Sequence, residues 1–182
     1  MVRRSRLNYD APQFPRDVSL VEGIAEVIRQ AKILGYKIIV VTNRPEVAKE
    51  KLTRLQSQRV ESRIRQLLTL ENADWDGYFA CPHHPQALSQ MYRLECDCRK
   101  PKPGLIHQAQ KQYDLDLKQS FILGDGAADV GAGNAAGIKT ILYLHRENDP
   151  QKVEAAYACP SDWRVEDLSQ VLEIIANSNQ SA

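Results

Sequence analysis

The strongest constraint on the fold is a short β-branched run, Lys37-Ile38-Ile39-Val40-Val41, which breaks into Thr42-Asn43-Arg44-Pro45. Upstream, from Ser19, the apolar residues Ile24, Val27, Ile28, Ala31 and Leu34 recur at three- and four-residue spacing, and Gly35 stops the pattern. That spacing predicts an amphipathic helix. A run without polar alternation is expected of a parallel strand buried on both faces, and the polar residues after it of a loop. Helix, strand and polar loop in this order restrict the chain to an α/β arrangement.

The remainder repeats that grammar. The stretch from Glu46 to about Leu70 is highly charged but carries Leu55, Ile64, Leu67 and Leu68, which predicts a mostly exposed helix or helix pair. Gly77-Tyr78-Phe79-Ala80 reads as a strand leading to Cys81, and Leu105, Ile106, Ala109 and Tyr113 mark a helix. Phe121-Ile122-Leu123 ends in Gly124-Asp125, Asp129 to Ala136 is helical, Lys139 to Leu144 is a strand, and Trp163-Arg164-Val165 precedes a last helix through Ile175. The expected fold is a Rossmann-like, doubly wound parallel sheet in one domain, residues 1–176, followed by a polar tail at 177–182. With 182 residues the chain can bury a core without disulfides.

Charge narrows the partners. Lys and Arg number 24 against 23 Asp and Glu, a net charge of +1, which argues against a nucleic-acid binder. Arg3-Arg4-Ser5-Arg6 is the one local basic excess, and a solvated terminus accounts for it. No apolar run reaches the length of a membrane span and the start lacks the apolar core of a signal peptide. The expectation is a cytoplasmic monomer with no membrane partner.

Chemistry concentrates in one loop. Cys81-Pro82-His83-His84-Pro85 is followed, with twelve residues between His83 and Cys96, by Cys96-Asp97-Cys98-Arg99-Lys100-Pro101. Cys81, His83, Cys96 and Cys98 offer three thiolates and one imidazole, the donor set of a closed structural zinc site, with His84 as the alternative imidazole. Cys159 stands apart and reads as structural. Sites in open α/β sheets form beyond the carboxyl ends of strands, and three such ends are polar here: Thr42-Asn43, the Arg99-Lys100 loop, and Gly124-Asp125 through Asp129. Thr42 can donate to a phosphoryl oxygen, Lys100 can neutralise it, Arg99 can grip a second anion, and Asp125 can offer a hard oxygen to Mg²⁺. Taken singly, each is equally a turn or a solvated loop residue; their joint ordering favours the site.

In that order, Val40-Val41-Thr42-Asn43, the Cys-His loop with Arg99-Lys100-Pro101-Lys102-Pro103-Gly104, and Gly124-Asp125 to Asp129 with Ala132-Gly133-Asn134-Ala135-Ala136-Gly137 resemble the haloacid dehalogenase superfamily. Within it, the chain is similar to the branch of D-glycero-D-manno-heptose 1,7-bisphosphate 7-phosphatases and histidinol phosphatases. The resemblance implies a Mg²⁺-dependent phosphomonoesterase that passes through an aspartyl-phosphate, with a small phosphorylated metabolite as substrate. It implies that Thr42 and Lys100 stabilise the transferring phosphoryl group and that Thr42, Asn43, Arg99 and Lys100 bind substrate. Asp125 would hold Mg²⁺, and Cys81, His83, Cys96 and Cys98 would hold zinc.

The chain departs from that pattern at its start. The family's nucleophile lies in an Asp-x-Asp-Gly-Thr motif at the end of the first, central strand, where Val2 and Arg4 align with the two aspartates. Neither side chain can attack phosphorus, and Asp10 and Asp17 fall in the following loop. Arg44-Pro45 and Gly126 replace further polar positions. The first central strand is therefore expected to be truncated or degenerate, unless residues 1 to 7 fill its place. Two outcomes follow: a phosphatase whose natural start differs, or a catalytically inactive zinc-containing fold that binds without turnover. For the chain as it stands, no magnesium-dependent phosphate release is expected.

Overall fold

The computed structural model describes residues 12–144, 154–155 and 157–179. The arginines near the amino terminus, Val2 and Asp10 lie outside that range. Helix α1 spans Ile24–Ile33, after Gly23 at φ 82 and before Gly35 at φ 88, both in the left-handed region that suits glycine. The charged stretch forms two helices, α2 (Pro45–Ala48) and α3 (Arg54–Leu70). α3 starts at a capping box in which Gln56 N donates to Thr53 Oγ1 at 3.2 Å and Thr53 N donates to Gln56 Oε1 at 2.8 Å. The later helices are α4 (Gly104–Tyr113), α5 (Ala127–Ala136) and α6 (Ser169–Asn179).

Every strand pairing is parallel, as the helix–strand alternation demands, and the described strands fall into two sets. β1 (Ile39–Asn43) pairs with β2 (Gly77–Cys81), Ile39 opposite Gly77 and Asn43 opposite Cys81. β3 (Phe121–Gly124), β4 (Lys139–Tyr143) and β5 (Trp163–Val165) form the second sheet in that order. Among the described residues no strand lies between β1 and β3. Helices cover both faces: Val40, Phe121 and Leu123 pack into a core shared by α1, α3 and α6, whereas Val41 and Ile122 pack with Ile106 of α4 and Ala132 of α5. In β4, Ile141 and Leu142 are fully buried, worth about 1.5–3 kcal/mol each.

Two expectations need correction. β1 is half-buried along its whole length, not buried, and Ile39 to Thr42 are among the residues lining a cavity that reaches to β3. The last helix continues past Ile175 to Asn179, into the stretch assigned to a polar tail. Val171 and Ile175 anchor it in the core, and Ser169 to Asn179 contains neither glycine nor proline to stop it.

Candidate functional site

The Cys-His loop leaves β2 at Cys81 and enters α4 at Gly104, so a single connection carries the thiols and the Arg99-Lys100 pair. Cys81, His83, Cys96 and Cys98 converge, with one ligand atom of each within 4.8 Å of the others. The sulfur separations are 3.1 Å (Cys98–Cys81), 3.2 Å (Cys98–Cys96) and 3.6 Å (Cys81–Cys96), and His83 Nδ1 lies 3.3 Å from Cys98 and 3.7 Å from Cys81. A tetrahedral zinc with Zn–S bonds of about 2.3 Å sets sulfur–sulfur edges near roughly 3.8 Å; the cluster is slightly tighter and needs only small movements to accept the ion. The separations are far longer than a disulfide bond, and all four cysteines are free. His84 turns elsewhere, its Nδ1 accepting from Gln86 N at 3.0 Å.

The thiols do not share one environment. Burial pushes Cys98 well up, and the adjoining Cys81 and Cys96 sulfurs add to the rise. Burial also raises Cys81. At Cys96 burial acts in the same sense but is outweighed by hydrogen bonds from Cys98, Cys81 and the amides of Arg99 and Cys98, which hold this thiol down. Three thiolates at this spacing repel, and a divalent ion removes the conflict by stabilising all of them.

Beyond the cluster, Lys100 is held from three sides. Its Nζ donates to Val41 O at 2.7 Å and to the Asp129 carboxylate at 2.5 Å, with side chains only 11% and 17% exposed. Its backbone is clamped by the Asn43 amide, which donates from Nδ2 to Lys100 O and accepts at Oδ1 from Lys100 N, both at 3.0 Å. Asn43, expected among the substrate-binding residues, thus spends both halves of its amide on the loop. Thr42, Lys100, Asp125 and Asp129 line the cavity between the sheets. Gly124 is required there, since a β-carbon would collide with the Asp129 side chain. Arg99 lies outside the cavity lining; its Nη1 donates to His83 O at 2.9 Å, which leaves most of its five donors for other partners.

Spacing in the sequence did not reveal Lys49. Burial first, and then the charges of Lys49 and Arg99, lower the His84 imidazole from its ordinary value, so both cations act on one imidazole although fifty positions separate them in the chain. No local pattern signals that proximity. Asp129 was visible only as a second carboxylate; its role as the partner of Lys100 needs the tertiary structure. Cys159 packs with Val130, Leu142 and Leu144, as a structural cysteine does.

The described side chains do not fit a magnesium site. Asp129 is engaged by Lys100, and Asp125 alone falls short of the near-complete oxygen octahedron the ion requires.

The parallel strands, with Lys100 held at their carboxyl ends, fit an α/β fold of the haloacid dehalogenase type, and residues 97–171 match the HAD-hydrolase-like family. A D,D-heptose 1,7-bisphosphate phosphatase from B. bronchiseptica, solved with magnesium and phosphate, shares the fold with a TM-score of 0.76 over 91% of this chain and 88% of that one, at 23% identity. The D-glycero-β-D-manno-heptose-1,7-bisphosphate 7-phosphatase of Salmonella typhi is 34% identical over 151 residues, 83% of this chain and 79% of the relative. Its counterpart in Escherichia coli K12 is 32% identical over 162 residues, 89% of this chain and 83% of the relative. The chain belongs to the family of D-glycero-β-D-manno-heptose-1,7-bisphosphate 7-phosphatases.

Proposed function

We propose that the chain carries a phosphomonoester site of the haloacid dehalogenase type for a small sugar bisphosphate of the kind its relatives are named for. The observation that carries this reading is Lys100, an ammonium fixed between the end of β1 and Asp129 at the mouth where Thr42 also opens. Thr42 and Lys100 receive one phosphate through charge-assisted hydrogen bonds. Arg99, most of whose donors are left for other partners, suits the other phosphate, and Lys49, whose charge also bears on His84, is a further candidate cation for it. Cys81, His83, Cys96 and Cys98 hold a structural zinc that shapes the loop, a closed set with no position left for water. Free thiols in this arrangement suit the reducing cytoplasm, and among the described residues no helix is long and apolar enough to cross a membrane.

One observation favours a second reading, binding without turnover: the described side chains do not fit magnesium, since Asp129 is engaged by Lys100. The test is calorimetric titration with a sugar bisphosphate and with inorganic phosphate, alongside a phosphate-release assay in Mg²⁺. Binding of both with no release is expected. Lys49→Ala should weaken the bisphosphate roughly tenfold, the weight of one charged contact of about 1.4 kcal/mol, and leave inorganic phosphate unchanged. Turnover that disappears in Asp125→Asn would overturn the binding-only reading. A preference for histidinol phosphate, with its single phosphate, together with indifference to Lys49→Ala would overturn the bisphosphate assignment.

A further inference from the structure

On the reading that Cys81, His83, Cys96 and Cys98 hold zinc, we propose that Cys81 and Cys98 are also a peroxide-sensitive pair, which closes to a disulfide and discharges the metal. Cys98 lies 3.1 Å from the Cys81 sulfur, so about 1 Å of movement brings the two to the S–S bond length of about 2.05 Å.

Exposure assigns the roles. Cys81 closes β2 and is 0% exposed, whereas Cys98 is partly open to solvent, so a small peroxide meets Cys98 first. The Cys98 thiolate takes one peroxide oxygen, giving a sulfenic acid and hydroxide. The Cys81 thiolate then attacks the Cys98 sulfur, and a second hydroxide leaves. The sulfurs lose two electrons to the peroxide O–O bond, and two protons from solvent turn both hydroxides into water. Cys96 and His83 remain as donors, half of the four a closed site needs.

Cys96 is nearly as close to Cys98, at 3.2 Å, but the backbone between them is committed. Asp97 O accepts from Gly104 N at 2.9 Å, and a β-carbon at Gly104 would collide with that carbonyl. A disulfide across the single residue Asp97 has to rebuild this close approach, while one to the end of β2 leaves it in place. The loop stays tethered after oxidation, so a dithiol can reverse it. Lys100 keeps its Asn43 clamp, but His83, whose carbonyl anchors Arg99, loses its metal.

The test treats the full chain, its zinc content measured beforehand, with hydrogen peroxide. Zinc is followed with a chromogenic chelator, and tryptic peptides are mapped by mass spectrometry without reduction. Trypsin leaves Cys81 in the fragment 66–93 and both Cys96 and Cys98 in 94–99, so the proposed bond joins two fragments whereas a Cys96–Cys98 bond stays within one. Expected are the joined pair, release of about one zinc per chain, and reversal of both by dithiothreitol with added zinc. Cys96→Ser should still yield the joined pair, and Cys159→Ser should behave as the unaltered chain. A bond confined to 94–99, a joined pair that disappears in Cys96→Ser, irreversible sulfinic acid in place of a disulfide, or bound zinc that survives peroxide would overturn the proposal. A chain that holds no zinc beforehand yet forms the joined pair would refute the zinc assignment and, with it, the discharge.

Discussion

Replacement of Cys98 by serine is expected to strip the loop of its zinc. Cys98 sits at the centre of the cluster, within 3.1 Å and 3.2 Å of the other two sulfurs and 3.3 Å from His83 Nδ1. Serine cannot replace a thiolate toward a borderline-soft ion. Loss of a mere supporting contact around a zinc ligand costs 10- to 100-fold in affinity, so loss of the ligand itself should exceed about 100-fold. The effect should spread along the chain. Arg99 donates to the carbonyl of His83, and without the ion that anchor goes slack, so affinity for a bisphosphate should fall with the zinc content. Cleavage by trypsin at Arg93 and Arg99 should accelerate, whereas the cores under α1, α4 and α5 lie elsewhere and should unfold nearly as before. Metal analysis, chelator competition and limited proteolysis check each part, with Cys159→Ser as the variant that should change none of them. A Cys98→Ser protein that keeps one zinc per chain against a chelator would refute the assignment of these four ligands.

The second large effect is expected at Lys100. Lys100→Ala removes the ammonium that faces the phosphate, and hydrogen bonds to charged groups contribute about 1.5–3 kcal/mol, equivalent to a loss of roughly 10- to 150-fold in affinity. The same change leaves the Asp129 carboxylate, 17% exposed, without its cation, so a drop in melting temperature should accompany the loss of binding. Lys100→Arg should not restore the site, because a planar fork cannot occupy the point-like place between Val41 O and Asp129. Lys100→Met separates packing from charge: it should recover part of the stability and none of the phosphate affinity. Unchanged phosphate binding in Lys100→Ala would remove the basis of the proposed function.

Much of this arrangement was legible in residue order because it rests on local chemistry. The spacing of Cys81, His83, Cys96 and Cys98 is that of four side chains able to converge on one ion, and β1, β3 and β4 announce themselves as β-branched or apolar runs that stop at polar loops. The rest depends on contacts that leave no periodic trace. Asn43 looks like any polar residue after a strand, yet its amide pairs with a backbone fifty-seven positions away. Lys49 is one charge among many on a solvated stretch until the fold brings it within reach of His84, on which Arg99 also acts.

Lys100 has a mechanical consequence as well as an electrostatic one. Asn43 and Val41 belong to the β1–β2 pair, and Asp129 begins the helix that packs on β3 and β4. The lysine is therefore a rivet driven through both halves at their carboxyl ends. Any movement of the β1–β2 pair against the second sheet pulls the ammonium with β1 and the carboxylate with α5, so the place of this cation is tied to how the two sets of strands sit at their carboxyl ends.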